Sequence, residues 1–172
     1  MTPEFSRRFA HDTIGDAPQS IAVEADAKER AALAKRFNLM SLDLLAATAV
    51  LVTTARGVEA RGTVRTRVGQ ACVVTGDAVM ADVEVPFALR FVEALPDGEA
   101  EIELSDSDCD ILPLDDGQLD LGEAVAQTLC LALDPFPRSA AARAGNERVW
   151  SAGSQGGAFA GLAALLPKDG SA

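Results

Sequence analysis

A chain of 172 residues with 48% apolar content is long enough for one domain that buries a substantial core. Its 15 basic residues face 26 acidic ones, and the net charge of −11 works against non-specific attraction to nucleic acid or anionic lipid. No apolar run approaches the roughly 20 residues of a bilayer span, MTPEFSRRFAHD lacks the apolar centre of a signal peptide, and three cysteines make no even-numbered disulfide framework, so a reducing, cytoplasmic setting is expected.

After a short N-terminal segment, QSIAVEA alternates as a strand does. DAKERAALAKRF then places Asp26 three residues before Glu29, the spacing of a capping box, in which each side chain satisfies the other residue's backbone N–H. Leu33 and Phe37 share one face while Lys28, Glu29, Arg30, Lys35 and Arg36 keep the rest wet, so an amphipathic helix packed on a sheet follows. In LDLLAATAVLVTTA periodicity alone admits helix or strand, and the β-branched end favours strand. VEARGTVRTRVGQACVV alternates, with Val58, Val64, Val68 and Cys72 on one parity and Arg61, Thr63, Arg65 and Arg67 on the other. One face is then buried and one basic. VMADVEVPFALRF is the clearest strand, with Val79 through Phe91 at odd positions inward and Asp82, Glu84 and Arg90 outward. Pro86 cannot donate to a ladder and predicts an edge or a bulge there.

Between Arg90 and Arg138 there is no Lys or Arg, yet half of all the acidic residues lie there. The stretch reads either as a solvated acidic loop or as a docking surface for a basic protein. PDG and DDG are turn signals, with EIEL as a short strand between them. DLGEAVAQTLCLALDP is a second helix, opened by Asp120 and Glu123 and stopped by Pro135, with Leu121, Val125, Leu129 and Leu133 as its buried stripe. Within it Cys130 reads as a core thiol. From Ser139 the composition turns to Ala, Gly and Ser up to the apolar AFAGLAALLP, so residues 1–138 are expected to form the folded domain and 139–172 a loosely ordered tail with a short anchor.

Little in this inventory is catalytic. DSDCDI spaces Asp106, Asp108 and Asp110 like the first ligands of a calcium loop, but Ile111 stands where that loop needs glycine and Gly117 where it needs a bidentate acid. The single histidine, His11, has no evident partner and is expected to be exposed. Phosphate-binding glycine loops and nucleophile elbows are absent from the sequence. Arg61, Arg65 and Arg67 either meet RNA phosphates or pair with the protein's own acids across strands, and that face lacks aromatic residues for base stacking.

QACVVTGDAV, LDLGEAVAQTLCLALDPFPR and GAFAGLAALLP together resemble the YceD family of bacterial and plastid proteins, and ERAALAKRF with the following strand is similar to its proteobacterial branch. The resemblance covers residues 1–135 in order, and again 158–167. Its motif residues here are Cys72, Asp120, Leu121 and Glu123. Many members carry C-x-x-C at the first motif and further Cys or His after the helix, a pattern suggestive of metal. Thr75 replaces the second cysteine here and DPFPRSAAARAG has neither Cys nor His, so no metal is expected and Cys72 is expected to be structural.

The fold expected is α+β: a strongly curved, mostly antiparallel sheet, open or closing towards a barrel, with two packed helices. The resemblance implies a non-enzymatic factor, without cofactor or membrane contact, that supports 23S ribosomal RNA accumulation and large-subunit assembly. Its implied partner is a basic ribosomal protein or assembly factor. Three mechanisms stay open: an acidic loop of Asp106, Asp108, Asp110, Asp115 and Asp116 that holds the basic protein, RNA contact through Arg61, Arg65 and Arg67, and a metal-dependent hydrolase.

Overall fold

A computed structural model describes residues 3–93 and 110–144. Asp106, Asp108, the EIEL segment, Trp150 and AFAGLAALLP lie outside the described residues. The elements run β1 (Arg8–Ala10), a 3-10 turn (His11–Thr13), β2 (Gln19–Glu24), α1 (Ala27–Arg36), β3 (Ser41–Thr54), β4 (Gly57–Ala71), β5 (Ala78–Val92), β6 (Asp110–Pro113), β7 (Gln118–Asp120) and α2 (Leu121–Ala132). The chain divides into two compact units, Met1–Gln70 with Met80–Pro135, and Ala71–Val79 with Phe136–Ala172.

The first unit is α+β, as its patterning predicts. Five strands form one sheet in the order β2-β3-β4-β5-β6, and β1 pairs with β7 in a small second sheet. The large sheet stays open, with β2 and β6 at its edges, and does not close into a barrel. β2, β3 and β4 are antiparallel neighbours, whereas β6 runs parallel to β5, with Leu89 opposite Asp110 and Val92 opposite Pro113. β3 and β4 make a hairpin closed at Thr54 and Gly57. Gly57 has a φ of +119°, and the Phe91 carbonyl lies where a side chain would begin, so only glycine fits.

Period-two burial built this sheet. Leu45, Ala47, Ala49 and Leu51 of β3, Val58, Ala60, Val64 and Val68 of β4, and Phe87, Leu89 and Phe91 of β5 are buried in one core. The same core takes Leu33 from α1 and Leu121, Ala124, Val125 and Leu129 from α2, which places both helices on one face of the sheet. α1 has the full capping box: the Asp26 carboxylate accepts from Glu29 N–H and the Glu29 carboxylate from Asp26 N–H, each at 2.8 Å.

Three expectations about α2 and the N-terminus need correction. Leu133 does not continue the helical stripe, because it is the C-cap, with ψ of 141°, and is half-buried. Cys130 is exposed rather than a core thiol, since it lies one residue off the buried stripe and so faces away from Leu129. His11 is half-buried rather than exposed, and its backbone N–H donates to the Gly117 carbonyl at 3.0 Å.

In the second unit, the β4–β5 connection folds back on itself. Cys72 N–H donates to Asp77 O at 2.7 Å and Gly76 N–H to Cys72 O at 2.9 Å, with Gly76 at φ +78°. Val73 N–H reaches Pro137 O at 2.9 Å, and a helical turn over 140–144 starts at Ser139, whose hydroxyl accepts from Ala142 N–H at 3.3 Å.

Candidate functional site

Arg61, Arg65 and Arg67 stand on the outward parity of β4 and are exposed. Strand pairing with β5 sets acids beside two of them, and β4 itself supplies the third. Arg67 meets Asp82 at 2.7 Å, Arg65 meets Glu84 at 3.3 Å and Arg61 meets Glu59 at 3.4 Å. Such exposed pairs are worth about 0–1 kcal/mol each, so their effect is less on stability than on the field. The arginine face is largely neutralised by its own sheet. Arg90, on the outward parity of β5, meets Glu59 at 3.2 Å, and its buried Nε has no hydrogen-bond partner.

The acidic positions that can be placed do not form one loop. Asp110 opens β6 and is exposed. Asp115 is exposed and meets Arg8 at 3.1 Å. Asp116 and Gly117 are the central pair of the β6–β7 turn, with φ of 49° and 70°. Asp115 N–H donates to Gln118 O at 2.9 Å and Gln118 N–H to Asp115 O at 3.0 Å. Both φ values are positive, as in a type I′ hairpin turn, for which Asp-Gly is a preferred pair. Asp116 therefore has a backbone role, and Asp116→Ala should cost about 1 kcal/mol through the left-handed conformation while Asp116→Asn should cost little. Urea denaturation of the two variants checks this.

The motif residues Asp120, Leu121 and Glu123 hold the start of α2 against the N-terminal segment. Asp120 is the N-cap: its Oδ1 accepts from Glu123 N–H at 3.2 Å and from Arg7 N–H at 2.8 Å, and its Oδ2 from the Ser6 hydroxyl at 2.5 Å. Glu123 takes a bidentate ion pair from Arg36 of α1, at 2.9 and 2.8 Å, and Arg36 also reaches Glu4 at 2.8 Å. Arg7 forks onto Glu29 at 2.7 and 2.9 Å and stacks over Phe5 at 4.7 Å. This pairing holds the Glu29 carboxyl below the usual carboxylate range. A side chain at Gly122 would meet Phe5 O and Arg7 N at 2.8 Å, so glycine lets the segment cross the helix. Phe5, Ser6 and Arg7 were missed by sequence reasoning, because a short segment without periodicity gives no sign of where it docks.

Cys72 is 3% exposed. Its sulfur accepts from Ser139 N–H at 3.3 Å, and its pKa is lowered to about 6 by hydrogen bonds, first from the Thr75 hydroxyl, then from Ser139 N–H and the Thr75 and Val74 backbone, against desolvation. The Thr75 hydroxyl has one proton and also lies 2.7 Å from Asp77 Oδ2, so the full lowering requires that proton to turn to the sulfur. A threonine hydroxyl and backbone N–H groups supply no zinc donor set. Among the described residues no three His, Cys, Asp or Glu side chains gather around a common metal position. A depressed thiol pKa adds stability fully above the unfolded value near 9, and that contribution is lost as pH falls through about 6. Thiolate absorbance should titrate near pH 6, and Thr75→Val should move the midpoint up. An unmoved midpoint would place the Thr75 proton on Asp77.

No helix among the described residues is long and apolar enough to cross a membrane. The sequence model of the family described as "Large ribosomal RNA subunit accumulation protein YceD" matches residues 60–166, more than half of the chain. No curated protein and no solved structure matches the chain.

Proposed function

The chain belongs to the YceD family of large ribosomal RNA subunit accumulation proteins, and from that membership we propose that it supports accumulation of large-subunit ribosomal RNA by binding, without catalysis. Its acidic segment holds a basic ribosomal protein, in the cytoplasm where the subunit is assembled. The observation that carries this reading is the partition of charge. Half of the acids lie between Arg90 and Arg138 with no base among them. Arg61, Arg65 and Arg67, the residues of the rival RNA-contact reading, are already engaged by Glu59, Glu84 and Asp82.

The test is association of the intact chain with a small basic large-subunit ribosomal protein as salt is raised. Long-range attraction is screened over about 10 Å at 0.1 M salt, so the association rate should fall steeply with ionic strength. Changing Asp106, Asp108, Asp110, Asp115 and Asp116 together to Asn should weaken binding and leave the fold standing. Wild-type binding by that variant, or loss of binding on changing the three arginines instead, would sink the acidic-segment reading.

A further inference from the structure

The arginines of the sheet face and of the N-terminal clamp are paired with carboxylates, but Lys28, Arg30 and Lys35 of α1 form no ion pair among the described residues. Lys28 and Lys35 are exposed, and the Arg30 guanidinium is steadied by a 2.6 Å hydrogen bond to Ala25 O. At 100° per residue, Ala27, Ala31 and Ala34 fall on one strip of the helix, with Arg30 on one side and Lys35 and Lys28 on the other. That strip lines a groove of about 590 Å³ whose far wall is Leu39 to Asp43. The groove is open because β2 stops short: its last pair is Glu24 with Ala46, so residues 41–43 of β3 have β4 on one side and no strand on the side where β2 would continue.

We propose that this α1 groove contacts the phosphate backbone of RNA, with Lys28, Arg30 and Lys35 on the phosphates. The inference rests on the family's ribosomal RNA role and not on the acidic segment. In a chain of net charge −11, cations not closed into ion pairs are the ones that can attract phosphate locally, and of these three Lys28 also feels the Asp26 carboxylate. Arg30 and Lys35 line the groove from opposite sides of the alanine strip, and Lys28 stands outside the lining on the Lys35 side, two helical turns or about 10 Å from it along the axis, so a strand laid along the strip has cations on both flanks. Alanines between them let a backbone approach closely. They offer no deep pocket for the aromatic or aliphatic anchors on which protein partners rely. The groove has no aromatic residue for stacking, so it positions RNA without reading its bases. Asp43 on the far wall keeps the phosphates on the α1 side.

Fluorescence anisotropy of the intact chain with a single-stranded oligouridylate and with an RNA duplex, across a salt series, tests the assignment. The double variant Lys28→Ala, Lys35→Ala changes two exposed residues and should fold normally, as circular dichroism would verify. It should bind RNA several-fold more weakly at low salt, and the slope of log K against log salt should flatten by about 0.7 for each lost contact. Changing Arg61, Arg65 and Arg67 to Ala should leave affinity and slope unchanged. The proposal is overturned if the wild type does not bind RNA even at low salt, if the lysine variant keeps the wild-type slope, or if the sheet arginines carry the loss. Polyglutamate competing as well as RNA would assign the groove to an acidic protein and overturn it too. Binding of the basic ribosomal protein is a separate readout, which the lysine variant should not change.

Discussion

Replacing Leu121 by alanine should lower the unfolding free energy by about 2–5 kcal/mol, the range for a buried leucine lost with a cavity left behind. Its position near the helix cap suggests a smaller cost than at Leu129. The structure removes that difference, since Leu121 is 0% and Leu129 1% exposed. The reason is the N-terminal segment: Leu121 N–H donates to Arg7 O at 2.9 Å, and Phe5, itself 0% exposed, belongs to the same core. Equilibrium denaturation of Leu121→Ala and Leu129→Ala side by side gives the comparison. A Leu121→Ala cost below about 1 kcal/mol would mean that the first turn of α2 is not covered as described.

Asp120→Ala should cost about 2–4 kcal/mol, unusually much for a helix cap. Loss of the cap alone accounts for about 1 kcal/mol. The further cost comes from the Ser6 hydroxyl and the Arg7 N–H, each part-buried and each left without its acceptor, at about 1–3 kcal/mol for such groups. Asp120→Asn keeps an acceptor for Arg7 and Glu123 and should retain most of the stability. Amide hydrogen exchange separates this from a general loss, because exchange at Arg7 should rise well before the strands of the core open. An Asp120→Ala variant whose Arg7 amide stays protected would show that the segment is held by Phe5 and the Glu29 pair alone.

These two positions bear on why Asp120, Leu121 and Glu123 recur as a motif in the resemblance. All three are structural in this geometry. Asp120 caps α2 and takes Ser6 and Arg7, Leu121 fills the core, and Glu123 ties α2 to α1 through Arg36. A site that binds a partner has to be sought on surfaces this clamp leaves free.

The strands β2, β3, β4 and β5, both helices and the cap of α1 follow from the sequence alone, because each depends on a short-range rule: alternation of apolar residues, a 3.6-residue stripe, or an Asp and a Glu three positions apart. The buried parity of β4 and the turn at Asp116 and Gly117 were legible for the same reason. Other features depend on which strands lie side by side, and no local rule encodes that. Three arginines on one strand read as a basic face until the pairing of β4 with β5 sets Asp82 and Glu84 beside two of them. Lys28 and Lys35 read as an ordinary wet helix face until the early end of β2 opens a groove beside them. A nonperiodic segment such as Pro3–Arg7 has no local signal, and its burial comes from partners more than a hundred positions away, Asp120 above all. Charge is counted in the sequence, but whether a charge is available to a partner is decided by tertiary contacts, because an ion pair forms between side chains that meet in space.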